Sequence, residues 1–152
     1  MKKVLLLLAQ VLLSFAMFPQ SSEQISAILK SEKATVAQVS YLPAVYSSLI
    51  QDNDGEAKAF DELKSKGLVP NEVSAEEEAT LSDVAYIYTK ALGIKGGIFY
   101  SLFPSKRYAY KELKARGLFP SNADPSMKVS GRDSIDIFNA CLELAEANGG
   151  AE

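Results

Sequence analysis

The side chains best suited to holding a ligand are Lys106, Arg107, Tyr108 and Arg132. Arginine forks onto a carboxylate or phosphate, lysine adds a point charge, and a tyrosine ring can stack on a sugar face. Residues 90–116 concentrate this chemistry: Lys90, Lys95, Lys106, Arg107, Lys111, Lys114 and Arg116 stand against one acid, Glu112. Tyr100, Tyr108 and Tyr110 lie among them. Such a patch suits an anionic glycan. The competing reading is a solvated helix face over core tyrosines, and the helical spacing of Tyr110 marks it as a core position.

Other chemistries are removed by absence. The chain has no histidine, which excludes Ser-His-Asp and Cys-His nucleophilic sites and any zinc site that needs imidazole. Its one cysteine, Cys141, falls on an apolar helical stripe, where a buried, inert thiol is expected. The turn at residues 51–55, Gln-Asp-Asn-Asp-Gly, resembles part of a calcium loop. With Gly55 as the sixth residue of that loop, the first ligand position falls on Ile50, so a plain turn is the better account. Nothing selects a pair of carboxylates for glycoside hydrolysis. The expectation is a protein that is not an enzyme, with no catalytic residue, no cofactor and no metal site.

At 152 residues and 47% hydrophobic, the chain suits one compact domain. Met1-Lys2-Lys3 precedes an apolar run over residues 4–18, interrupted by Gln10 and Ser14. This is the layout of a secretory signal peptide, assigned to residues 1–21, and it is shorter than the roughly 20 apolar residues of a membrane span. No cysteine follows it for lipoprotein processing. The mature chain is expected to be exported, to the periplasm or cell surface, and to carry no transmembrane segment. Loss of Lys2 and Lys3 moves the formal charge from −3 to −5, which disfavours nucleic acid as a partner.

The elements that position these residues come from helical periodicity. A short helix is expected over 24–33, with Ile25, Ile28 and Leu29 inward. A second apolar series runs Val39, Leu42, Tyr46 and Leu49–Ile50, with Pro43 expected to kink or split it. Residues 56–66 and 106–116 form two further helices, with Ala59, Phe60 and Leu63, then Ala109, Tyr110 and Leu113, inward. Gly67 and Gly117 sit where left-handed caps belong. Leu81, Val84, Ala85, Tyr88, Ala91 and Leu92 make one stripe; Ile137, Phe138, Cys141, Leu142 and Ala145 make another. The connector 93–105 is so apolar that it is expected to pack on the core, and residues 148–152 read as a frayed tail.

Residues 59–70 and 109–120 are copies at an offset of fifty, and ten pairs are identical between 56–92 and 106–142. Most fall on apolar faces, caps or helix starts. Each unit reads helix, loop, helix, and one unit alone cannot bury its apolar face, so units must stack. Thr80…Asp83 and Ser130…Asp133 have capping-box spacing, as does Thr35…Gln38 in a degraded unit over 22–50. The fold class expected is all-α: two clear units and one degraded, packed into a domain over 22–147.

These units resemble the S-layer homology module. Tyr108-Ala109-Tyr110 stands where that family has an aromatic-Ala-aromatic opening, Ala115-Arg116-Gly117-Leu118 fits its corner, and Phe103-Pro104-Ser105 fits its lead-in. Thr80-Leu81-Ser82-Asp83 and Ser130-Gly131-Arg132-Asp133 stand at its Thr-Arg-Ala-Glu motif. The resemblance covers about residues 35–143. It departs where the family's arginine directly follows the hydroxyl residue, because Leu81 and Gly131 occupy that place and Arg132 comes one position late. The resemblance implies a non-catalytic domain attached to an anionic cell-wall glycan, with Arg132 and nearby aromatics such as Tyr108 as its contacts, and the basic patch adds Lys106 and Arg107. The alternative is an adaptor that binds an envelope protein through apolar surface, with Ile98, Phe99 and Phe103 as its candidates.

Overall fold

The structure, a computed structural model, describes residues 20–149. Residues 1–19 and 150–152 lie outside it, and so do nearly all of the expected signal peptide and the last three residues of the tail. Among the described residues the fold is all-α. Helices α1 (Gln20–Lys30), α2 (Val36–Tyr46), α3 (Glu56–Ser65), α4 (Leu81–Ala91), α5 (Ile98–Leu102), α6 (Lys106–Ala115) and α7 (Gly131–Gly149) follow in order. No helix among the described residues is long and apolar enough to cross a membrane.

Helices pair across the units rather than within them. α2 packs mainly on α3 and α4 on α6, α7 packs equally on α1 and α2, and α2, α4 and α7 touch one another at the centre. The three central helices start alike. Thr35 and Thr80 make complete capping boxes with Gln38 and Asp83, and the Ser130 hydroxyl accepts from Asp133 N–H at 3.1 Å. The residues just before these caps close a ring of hydrogen bonds. Ala34 N–H donates to Val129 C=O (2.8 Å), Val129 N–H to Ala79 C=O (3.1 Å), and Ala79 N–H to Ala34 C=O (2.8 Å). All three residues are fully or almost fully buried, so each N–H and C=O needs the partner the ring supplies.

The segments 59–70 and 109–120 make the same contacts. Lys64 and Lys114 each donate to a loop carbonyl, of Val73 and Ala123, at 2.7 Å. Gly67 (φ +68°) and Gly117 (φ +80°) are left-handed, and Leu68 and Leu118 N–H close each turn onto Leu63 and Leu113.

Several expectations change. α1 begins at Gln20, and of its expected apolar face only Ile28 is fully buried, while Leu29 is exposed. Pro43 does not split α2: it lies three residues before the helix ends, so only the Val39 carbonyl loses its helical donor. Being central, α2 buries nearly every side, and Tyr46, expected inward, is exposed with its ring edge against Phe138. α7 runs on into the expected tail as far as Gly149.

The connector is corrected in part: Ile94 and Tyr100 join the core as expected, and its other large apolar side chains do not. Tyr100 is its inward residue on α5, whereas Ile98, Phe99, Leu102 and Phe103 are 76, 68, 65 and 62% exposed. Tyr100 faces the core from one side of α5, and Ile98 and Leu102, one turn apart, share the opposite side. Apolar content alone did not place the rest.

Candidate functional site

α5 is pinned on both sides. Tyr100 reaches α4, where its hydroxyl donates to Thr89 Oγ1 at 2.8 Å, and Thr89 in turn donates to the Ala85 carbonyl. A Cβ on Gly96 would lie 2.5 Å from Tyr100 Cδ1, so a residue without a side chain is needed for the ring to fold under the connector. On the other side Glu112 of α6 accepts from Gly97 N–H at 2.9 Å and pairs with Arg116 at 2.8 Å. Arg116 also donates to the Lys95 carbonyl at 2.6 Å. The apolar side chains of α5 are therefore presented on an anchored turn.

Between α5 and α6 lies a hollow of about 320 Å³ lined by Ile98, Phe99, Tyr108, Lys111 and Glu112 among others. Phe99 stacks on Tyr108, with ring centroids 6.1 Å apart and planes 12° from parallel. Lys111 Nζ lies 5.8 Å from the Tyr108 ring centre. Residues 107 and 111 are one turn apart on α6, and both are exposed.

The expected site residues are not gathered into one anion cradle. Lys106 is engaged elsewhere: its ammonium contacts Asp83 Oδ1 at 3.0 Å and Glu72 Oε1 at 3.2 Å. Burial pulls its pKa down, but Asp83 and Glu72 outweigh burial and hold it above the ordinary lysine range. Arg107 and Arg132 are exposed and make no ion pair among the described residues. They begin different helices: α6 packs on α4 and α5, and α7 on α1, α2 and α4. Tyr108 alone joins the α5 hollow. Of the remaining cations, Lys114 holds Ala123, Arg116 holds Glu112, and Lys90 lies over the Tyr86 ring. Much of the charge read as a ligand patch is thus structural.

A second, larger hollow of about 640 Å³ lies beside the α4 and α7 starts, lined by Leu81, Phe119, Met127, Lys128, Asp133 and Asp136 among others. Sequence reasoning missed it, because it forms where the 118–129 loop folds back over the start of α7 and against Leu81 of α4, about forty residues earlier. Its two carboxylates make it a poor anion site. Among the described residues no three His, Cys, Asp or Glu side chains converge as a metal site.

Cys141 is fully buried, and burial pushes its thiol up to about 12. The expected result is that a thiol reagent at neutral pH leaves the folded protein unmodified and labels it fully in denaturant. Rapid native labelling, followed by absorbance, would contradict the placement.

No family model, no curated protein and no solved structure matches this chain. The reading of function therefore rests on the geometry above and on the resemblance of the repeat motifs.

Proposed function

We propose that this chain is an exported, non-catalytic domain, built of S-layer homology-like units, that attaches to the cell envelope through its α5–α6 face. One observation carries the reading: four large apolar side chains within six positions stand more than 60% exposed on a turn anchored to two neighbouring helices. Single exposed hydrophobes are ordinary, but a contiguous, held group marks an interaction surface. This favours the apolar mode of attachment over the basic one, since Lys106 and Arg116 serve the fold. The glycan reading keeps one specific support, the exposed Arg107 on the same helix as the Lys111–Tyr108 contact.

Co-sedimentation with purified envelope fractions separates the two modes. Replacing Ile98 and Phe103 together by serine is expected to weaken binding by about tenfold or more, given the apolar area removed. Arg107→Ala with Arg132→Ala is expected to change it by about threefold or less at physiological salt. The reverse ranking, with binding to sacculi lost when their anionic polymer is stripped, would establish the glycan mode instead.

A further inference from the structure

The outer side of α5 is exposed, and the uncommitted charges on its own segment are of one sign. Ile98, Phe99 and Leu102 fall at i, i+1 and i+4 on the outer side of α5, and Phe103 follows directly. Lys111 lines the same hollow as Ile98 and Phe99, and Arg107 lies one turn before it on α6. Glu112, the one acid among residues 90–116, is engaged by Gly97 and Arg116. The face thus offers aliphatic and aromatic side chains beside two exposed cations and no uncommitted carboxylate from its own segment.

We propose that this face inserts into the surface of an anionic phospholipid bilayer, with Ile98, Phe99, Leu102 and Phe103 entering the acyl boundary while Arg107 and Lys111 meet the headgroups. The proposal rests on the α5–α6 face being the attachment face. An exposed apolar turn needs a matching pocket on a protein partner, whereas a bilayer needs only apolar depth and opposite charge. The charge and the apolar wedge together suit anionic lipid: cations next to an apolar wedge are drawn to the negative surface potential and then held by insertion. Tyr108, stacked on Phe99 with its hydroxyl end polar, suits the interface between the two.

The chain has no tryptophan, so Phe99→Trp in the full chain gives a signal from α5 alone, whatever the apolar run at residues 4–18 does. Leu102→Trp serves as a second reporter on the same turn, and Met127→Trp reports from the other hollow. With vesicles containing phosphatidylglycerol, the α5 reporters are expected to shift to the blue and to be quenched by brominated acyl chains, and the Met127 reporter is not. Arg107→Gln with Lys111→Gln, or salt of about 0.5 M, is expected to weaken the shift by about tenfold. Phosphatidylcholine vesicles are expected to give little response. If the α5 reporters ignore every vesicle but respond to an envelope protein fraction, the lipid proposal falls and the attachment face stands. If they ignore vesicles and all envelope fractions, both fall.

Discussion

Replacing Gly131 by alanine is expected to lower the stability of this domain by about 3 kcal/mol, with a fall in melting temperature of roughly 10 °C. A Cβ on Gly131 would lie 1.7 Å from the Ile28 carbonyl oxygen and 2.6 Å from its carbon. Both are backbone atoms of α1, so no rotamer change relieves the contact and α1 must move off α7. The Gly131 N–H also donates to the Ser31 carbonyl at 2.9 Å, a bond that such a movement would lengthen. At the other two junctions the residue after the cap, Val36 or Leu81, donates to a loop carbonyl, of Glu77 or Met127, and has room for a side chain. Gly67→Ala supplies the comparison: its φ is +68° but nothing lies within 4 Å of its Cβ, so a cost of about 1 kcal/mol is expected from backbone strain alone. Urea unfolding of both variants checks the ranking. Equal costs would mean that α1 does not sit against α7 as closely as described.

Asp83→Ala is expected to cost about 3 kcal/mol, and Lys106→Met about 1–2 kcal/mol, with the double variant costing less than the sum. Asp83 is buried, and its carboxylate accepts from Thr80 N–H at 2.9 Å, from the Thr80 hydroxyl at 2.6 Å and from Lys106 at 3.0 Å. Its removal leaves the capping box of α4 open and Lys106 with Glu72 alone, so one change loosens the start of α4 and its hold on α6. The folded pKa of Lys106 is raised, so its stabilisation is complete below the unfolded lysine value of about 10.4. It is lost as pH rises through the folded value. The stability difference between wild type and Lys106→Met should therefore hold constant from about pH 6 to about pH 10 and shrink above it. A difference unchanged well into that alkaline range would show that the ion pair contributes little.

The sequence is most informative where an interaction is local. Capping spacings at Thr35 and Thr80, the left-handed glycines at 67 and 117, and the inward positions Ala59, Leu63, Ala109 and Leu113 all depend on residues within one or two turns, and they fall where periodicity puts them. The all-α class follows from the same signals. What the sequence concealed is set by partners distant along the chain. Lys106 belongs to Asp83, twenty-three positions earlier, so a residue read as a ligand group is a brace. Gly131, conspicuous as a departure from the motif it resembles, is explained only when α1 is seen lying against it. The connector was only partly legible, because hydrophobic content counts side chains without saying which turn inward. Ile94 and Tyr100 do, and the other side chains of α5 face out.

Hydroxyl-radical footprinting of the full chain, free and bound to envelope material, tests the attachment face most directly. Phe99 and Phe103 are expected to lose most of their oxidation on binding, while exposed Met127, beside the other hollow, keeps its own. Protection at Met127 with Phe99 and Phe103 still oxidised would contradict the proposed face and move attention to the hollow beside α4 and α7.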